Sequence, residues 1–338
     1  MAKRRLTERQ KQRIQAIQDS RRERAAARAE QQSAALEGSL GQEQAGVVIS
    51  HHGASVVVEG DVDELHRCTV RQNLGALVCG DRVIWQAGQA GDGVVVALQP
   101  RHSLLSRPSP DGRSKPVAAN IDQIAVVIAT RPEPSEFLID RYLVASHATG
   151  ITPIIILNKI DLLDAEQRRA LDDRLRTYID IGYTLLHTSV KQEHGLDALL
   201  AQLHERTSIL VGQSGVGKSS LVKALLPDRD IRIGRLNEAE HGRHTTTTSV
   251  LYHLASGGDL IDSPGVRDFG VWHLSGDAVA QGFVEFHPSL GHCKFSDCAH
   301  RDEPDCALRE AVDAGRIDRR RFESYHRIMD ALRDAKAG

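Results

Sequence analysis

The sequence lacks any apolar run approaching the roughly 20 residues that a helix needs to cross a bilayer, and its first thirty residues contain no apolar core of a secretion signal. A cytoplasmic protein without membrane contact is therefore expected. The Arg-rich start is interrupted by Glu and Asp and has few serines, which argues against an organelle transit peptide. Cysteine is scarce and odd in number: of five, Cys68 and Cys79 lie far from a cluster formed by Cys293, Cys298 and Cys306. A disulfide framework is disfavoured, and clustering beside His300 in a reducing compartment points to a metal. A large excess of charge of one sign is also missing, since the net charge is −2. The charge is nevertheless uneven, because residues 1–38 carry ten Lys and Arg against five Asp and Glu.

A chain of 338 residues, 41% hydrophobic, is long enough for two or three globular domains. Residues 1–42 are charged, rich in Gln and Ala and almost free of large apolar side chains, so burial there cannot offset the entropy of ordering. They read as a mobile basic arm, or more plainly as a solvated tail without a partner. Residues 43–102 hold five short β-type runs, Val47–Ile49, Ser55–Val58, His66–Arg71, Arg82–Trp85 and Val94–Leu98, punctuated by glycines. That pattern fits a small barrel such as an OB-fold. Its one aromatic, Trp85, gives no stacking ladder for nucleic acid. Leu104 to Pro116, with Ser, Pro and Gly, reads as a linker. Beyond it, apolar runs at Ile124–Ala129 and Pro153–Leu157 alternate with helical segments, the signature of a doubly wound α/β domain over residues 103–270. Residues 271–338 form the last segment, ending in an apolar stripe of Phe322, Tyr325, Met329 and Leu332 expected to pack as one helix face.

The α/β region carries the chemistry. Gly212-Gln213-Ser214-Gly215-Val216-Gly217-Lys218-Ser219 fits the phosphate loop G-x-x-x-x-G-K-[ST] without mismatch, preceded by the strand Ile209–Val211 and followed by a helix that Ser220 opens. Its glycines let successive N–H groups face phosphate oxygens beside a helix N-terminus. Lys218 is placed to reach the β and γ phosphates, and Ser219 to bind Mg²⁺. Asn158-Lys159-Ile160-Asp161 closes the strand at 153–157 as N-K-x-D. A carboxylate at Asp161 can accept from both N1–H and N2–H of guanine, whereas adenine would leave it unpaired, so the motif selects GTP. Ser189-Val190-Lys191 follows the next strand and is expected to back the guanine. Asp262-Ser263-Pro264-Gly265 reads as D-x-x-G, with Asp262 holding Mg²⁺ through water and the Gly265 N–H sensing the γ-phosphate. Gly242-Arg243-His244-Thr245-Thr246-Thr247-Thr248 is a polar loop able to offer Mg²⁺ a hydroxyl, Thr246 or Thr247.

In an ordinary GTPase the phosphate loop comes first and N-K-x-D last. Here N-K-x-D precedes the phosphate loop by some fifty residues, so the order is circularly permuted. Both orders leave the loops at strand C-termini, where α/β sheets bind ligands. The chain then leaves Asp262 and runs into Cys293-x4-Cys298-x-His300-x5-Cys306, three sulfurs and one imidazole, enough for a closed structural Zn²⁺ site, one per chain. His292 is a competing ligand, and unligated cysteines are the plain alternative.

The barrel, the permuted motifs, Leu260-Ile261-Asp262-Ser263-Pro264-Gly265-Val266-Arg267 and the cysteine spacing together resemble the ribosome-small-subunit-dependent GTPase family, RsgA, over residues 45 to 335. The resemblance implies an α/β fold: a circularly permuted phosphate-loop GTPase with an N-terminal OB-fold and a C-terminal zinc-binding helical domain. It implies hydrolysis of GTP to GDP and phosphate, stimulated by the small ribosomal subunit during its late maturation, with ribosomal RNA as partner. A monomer is expected. The alternative is a ribosome-associated module that holds GTP with little intrinsic hydrolysis. A GTPase acting on a membrane is disfavoured by the absence of lipidation or amphipathic signals. After Gly265, where Ras-like enzymes carry a water-orienting Gln, stands Val266, so intrinsic hydrolysis is expected to be slow. His244 is the nearest titratable candidate for a catalytic role, or else a surface histidine.

Overall fold

The computed structural model describes residues 40–53, 55–61, 64–88, 92–108, 114–228, 249–263, 270–271 and 274–337. The basic arm up to residue 39, the loop holding His244, Thr246 and Thr247, and Gly265 with Val266 lie outside the described residues. The chain divides into two compact units that part between Arg101 and His102.

The first unit is a five-stranded barrel. Strands β1 (Glu43–His52), β2 (Ser55–Glu59), β3 (Leu65–Val70), β4 (Arg82–Ala87) and β5 (Asp92–Leu98) pair in the order β1-β2-β3-β5-β4, and β4 returns to β1. Only β3 and β5 run parallel within it. Alternation turns Val48, Val56, Val58, Cys68, Val83, Trp85 and Val95 inward to one core. Trp85 is 1% exposed, and its Nε1 donates to the Ala45 carbonyl at 3.2 Å. A Cβ on Gly46 would stand 2.6 Å from Val58 Cγ1 and 2.8 Å from the indole nitrogen, so only glycine fits beside the ring. The barrel's one tryptophan is thus committed to the core and unavailable to stack on a base. Asp81, fully buried, accepts from Val78 N at 2.7 Å and from Arg101 Nε and Nη2 at 2.6 and 2.8 Å, which pins the turn before β4 to the end of the barrel chain.

In the second unit, the stretch expected to be a linker is instead a β-hairpin, β6 (Leu104–Pro108) with β7 (Ser114–Ala119). Leu105, Ala118 and Ala119 are buried on it. Pro108 and Pro116 are tolerated because each strand of a two-stranded ribbon needs hydrogen bonds on one side only.

The main sheet of this unit takes β8 (Gln123–Ala129), β9 (Thr152–Asn158), β10 (Leu185–Thr188), β11 (Thr207–Val211), β12 (Val250–His253) and β13 (Asp259–Asp262) in the order β10-β9-β8-β11-β13-β12. All neighbours are parallel except β12 with β13. The middle strands are buried on both faces, as their unbroken Ile, Val and Ala runs require. Helices α1 (Glu136–Ala148), α2 (Ala165–Asp180), α3 (Asp197–Leu203) and α4 (Lys218–Leu225) cover it. α2 starts on a capping box in which the Asp164 carboxylate accepts from Gln167 N at 2.8 Å and Gln167 Oε1 accepts from Asp164 N at 3.2 Å.

The chain ends in α5 (Gly276–Gln281), α6 (Ala307–Asp313) and α7 (Arg319–Ala337). The expected stripe does pack, with Tyr325 and Leu332 buried beside Ile328. The side chain that anchors α7 is one the stripe omits. Arg321 is 2% exposed, and its guanidinium donates to Asp140 Oδ1 on α1 at 2.5 Å and to both Glu285 oxygens at 2.7 and 3.0 Å. It also lies over the Phe283 ring, 4.6 Å from the centroid. The Tyr178 hydroxyl donates to the same Asp140 oxygen at 2.8 Å. Among the described residues no helix is long and apolar enough to cross a membrane.

Removing one member of a buried ion network leaves the others uncompensated. Arg321→Met is therefore expected to lower the stability of the metal-loaded chain by about 3–5 kcal/mol, read as a shift of the urea midpoint. A midpoint unchanged within error would mean that Asp140 and Glu285 find other partners.

Candidate functional site

Four neighbouring strands end together, and three of them, β9, β11 and β13, carry the nucleotide motifs. β11 lies between β8 and β13, and β9 lies on the other side of β8. Val211, the last residue of β11, gives way to the glycine loop, in which φ is +139° at Gly212, +85° at Gly215 and +98° at Gly217. These left-handed positions turn the backbone into a cradle of N–H groups. Val216 between them is fully buried and fastens the loop to the core. Lys218 opens α4, and its ammonium donates to the Gly212 and Gln213 carbonyls at 2.6 and 2.7 Å, curled along the inside of the loop. Ser214, Ser219 and Ser220 stand exposed at the mouth.

The guanine motif is bonded to this loop across 58 residues of sequence. Asn158, 2% exposed at the end of β9, donates from Nδ2 to the Val216 carbonyl at 3.0 Å and accepts from Thr188 Oγ1 at 3.2 Å. Lys159 takes a left-handed φ of 62°, and its ammonium bridges the Gly215 carbonyl at 2.5 Å and the Arg131 carbonyl at 2.7 Å. Thr130 secures the turn by donating to the Lys159 carbonyl at 3.0 Å. Ile160 is buried, which faces Asp161 the other way. The Asp161 carboxylate accepts from Ser189 Oγ at 2.6 Å and lies 4.0 Å from Lys191 Nζ, while Lys191 N donates back to Ser189 Oγ at 3.1 Å. One oxygen of Asp161 is thereby oriented by Ser189, and Val190 remains exposed beside it. Thr130, Arg131 and Thr188 belong to none of the sequence motifs. Each acts through a long-range backbone or side-chain contact that no local spacing encodes.

Asp262 ends β13, whose Ile261 is level with Ile209 of β11, so Asp262 is level with Leu210, two residues before the glycine loop on the adjacent strand. Ser249 Oγ donates to Ser263 Oγ at 2.7 Å, clasping the residue before β12 to the residue after β13.

Cys293, Cys298, His300 and Cys306 gather in the tail, their ligand atoms all within 4.8 Å of one another. Cys293 Sγ and Cys306 Sγ each lie 3.5 Å from His300 Nδ1 and 4.0 Å from each other. A tetrahedral ion about 2.3 Å from sulfur and 2.0–2.1 Å from nitrogen spaces its ligand atoms roughly 3.5–3.8 Å apart, so the donor set fits a closed metal site. His292 is exposed and outside the group. His300 has φ of 59°, held by Glu303, whose carboxylate accepts from Ala299 N and Arg301 N at 3.0 and 2.8 Å. Its own N–H and these two keep Glu303 down at about 2. Burial lowers His300, favouring the neutral imidazole that a metal needs, and raises the Cys298 thiol.

Gly217 tests the geometry. A Cβ there would stand 2.5 Å from Asn158 Nδ2 on a backbone at φ +98°. Gly217→Ala is expected to push Asn158 off Val216 and to weaken guanine-nucleotide binding by at least 100-fold, measured by titration with a fluorescent GDP analogue. Wild-type affinity would mean that the contact between the two motifs is dispensable.

Comparison with known proteins follows the same lines. The sequence profile of the RsgA GTPase family matches residues 98–272. The Small ribosomal subunit biogenesis GTPase RsgA of Hahella chejuensis is 51% identical over 99% of this chain and 98% of its own length, and that of Chromohalobacter salexigens is 53% identical over 98% and 99%. Among solved structures, YjeQ from Thermotoga maritima superposes with a TM-score of 0.72 at 32% identity, covering 86% of this chain and 99% of its own. YloQ, described as a circularly permuted GTPase, gives 0.70 at 28%, covering 87% and 96%. The chain belongs to the RsgA GTPase family and is a circularly permuted GTP hydrolase.

Proposed function

We propose that this protein hydrolyses GTP as a conformational switch on the small ribosomal subunit during its late maturation. The observation that carries the reading is the pair of bonds from Asn158 to Val216 and from Lys159 to Gly215, which hold a guanine-selective motif against a phosphate cradle. The relatives named for small-subunit biogenesis support the choice of partner. Ribosomal RNA is the surface we expect it to meet, in the cytoplasm and as a monomer.

In this reading Asp161 accepts from both guanine edge donors, Ser189 fixes its orientation, and Val190 and Lys191 cover the base. The N–H groups of residues 212–220 hold the phosphates, and Lys218 turns from the loop carbonyls to the β and γ oxygens. Ser219 and Asp262 hold Mg²⁺, the second through water, aided by Thr246 or Thr247. Gly265 meets the γ-phosphate. Val266 can neither accept nor donate, so attack by water waits for another group, and His244 is our candidate.

The donor set of Cys293, Cys298, His300 and Cys306 suits a structural Zn²⁺, whose four protein ligands leave no position for chemistry. Freshly purified protein is expected to carry one zinc per chain. Chelation should unfold the tail and leave nucleotide binding in place, as followed by metal analysis, tryptophan-independent circular dichroism and GDP titration. Zinc-free protein with a folded tail would remove this assignment.

The functional test is single-turnover hydrolysis with purified small subunits, large subunits and free RNA. Small subunits alone should stimulate strongly, and His244→Ala should remove about 100-fold of the stimulated rate. Equal rates with all three additions would overturn the ribosomal reading, and an unimpaired variant would return His244 to the surface.

A further inference from the structure

The turn that leaves β8 lies between the two nucleotide loops, because β8 stands between β9 and β11. The guanine motif holds its backbone from the inside: Thr130 donates to the Lys159 carbonyl, and the Lys159 ammonium ties the Arg131 carbonyl to that of Gly215. Pro132 comes next, its Cδ 3.6 Å from where a Cβ on Gly215 would stand. Glu133 is thus one residue beyond a contact with the phosphate loop.

A carboxylate at this place works against the loop's purpose. An exposed negative charge within about 10 Å of an anion site, the screening length at 0.1 M salt, opposes binding. A glutamate without a partner, one residue from that contact, has the reach to bring its carboxylate into this range. Glu136, the first residue of α1, adds a second carboxylate. Both are turned instead to one cation, Arg174 of α2. That helix joins β9 to β10, on the side of β8 opposite to β11 and its glycine loop.

Arg174 Nη1 donates to Glu133 Oε1 at 2.5 Å, and Nε and Nη2 donate to the two Glu136 oxygens, the latter at 2.7 Å. Nη2 also donates to the Pro134 carbonyl at 2.9 Å. One guanidinium therefore pins residues 133–136 from outside, as Lys159 pins Arg131 from inside. The same hydrogen bonds hold the Glu136 carboxyl below the usual carboxylate range. Among the described residues no second cation pairs with Glu133, whereas Glu136 keeps Arg320 at 3.6 Å. The side chains of Arg174 and Glu133 are 32% and 78% exposed, and an ion pair so placed contributes little to stability. What it decides is where a negative charge lies.

We propose that Arg174 is a positioning residue for nucleotide binding: it never touches the nucleotide, but holds the 131–136 turn in place and keeps Glu133 directed away from the phosphates. The proposal rests on the reading of residues 212–219 as the phosphate loop.

The test titrates GMP, GDP and a non-hydrolysable GTP analogue against the full chain as wild type, Arg174→Met, Arg174→Lys and the double variant Arg174→Met with Glu133→Gln. Arg174→Met is expected to leave GMP within about 2-fold of wild type, to weaken GDP about 5-fold and the GTP analogue more, and to lose most of this effect at about 0.5 M salt. Removing the Glu133 charge in the double variant should restore affinity, and Arg174→Lys, which keeps the cation, should retain most of it. A merely structural role would weaken all three nucleotides alike, ignore salt and gain nothing from Glu133→Gln. Any of those results overturns the proposal. Wild-type protein that binds GMP as tightly as GDP would sink the phosphate-loop reading and the proposal with it. Phosphate-dependent wild-type binding that Arg174→Met leaves unchanged would sink the proposal alone.

Discussion

The structure of the nucleotide site depends on two bonds that join segments far apart in sequence: Asn158 to the Val216 carbonyl and Lys159 to the Gly215 carbonyl. Both donors are side chains of the guanine motif, and both acceptors are backbone of the phosphate loop. The distance between base and phosphates in a nucleotide is limited by its own covalent structure. A protein that reads both ends must hold two loops at a matching separation, and here one loop does so by bonding directly to the other. The glycine at 217 follows from this, since any side chain there would occupy the place of the Asn158 amide. So does the buried Thr188, which orients that amide from the other side.

The same constraint explains why permutation is harmless. What must be preserved is the adjacency of strand ends, and the order β9-β8-β11-β13 sets it through the backbone ladder, whatever the order in which the chain visits the strands. Cutting the connection elsewhere and opening the chain before β8 alters no neighbour in that row. Permutation changes only where the chain leaves, and it leaves from β13, directly after Asp262, toward the tail that carries the Cys293, Cys298, His300 and Cys306 cluster. The tail in turn returns to the core through Arg321, which ties α7 to Asp140 of α1. α1 follows the loop whose Arg131 carbonyl accepts the Lys159 ammonium. Nucleotide loops and tail are therefore linked by packed, bonded structure as well as by the chain itself.

Much of this was legible in the sequence because the phosphate loop and N-K-x-D are local patterns whose chemistry is fixed by residue type and spacing. The strands of the sheet were legible too, since Ile124–Ala129 and Pro153–Leu157 can only be buried on both faces. The hairpin at 104–119 was not, because Pro, Ser and Gly resemble a linker when the partner strand that accommodates them is unknown. Arg321 escaped for a related reason: a lone arginine in a charged helix reads as solvated, and only the meeting with Asp140, 181 positions away, and Glu285 makes burial tolerable. Trp85 could have been a stacking platform or a core residue, and Gly46 decided between them from across the barrel. In each case the missing information was a contact between elements, which periodicity within one element does not carry.

The clasp between Ser249 and Ser263 bears on how a switch in such a chain could work. Ser249 follows the threonine loop, and Ser263 is the second residue of D-x-x-G, so the bond fastens the end of one proposed γ-phosphate sensor to the beginning of the other. β12 and β13 form an antiparallel pair between these two residues. The two sensors thus spring from the open end of a single hairpin whose register is fixed by the pairing of Val250 with Asp262. That last pair holds Asp262 directly beside the serine bond. Ordering by a γ-phosphate at either segment is in this way opposed or supported by the same few bonds. The same end of the hairpin carries Asp262, from which the chain runs on toward the Cys293–Cys306 cluster.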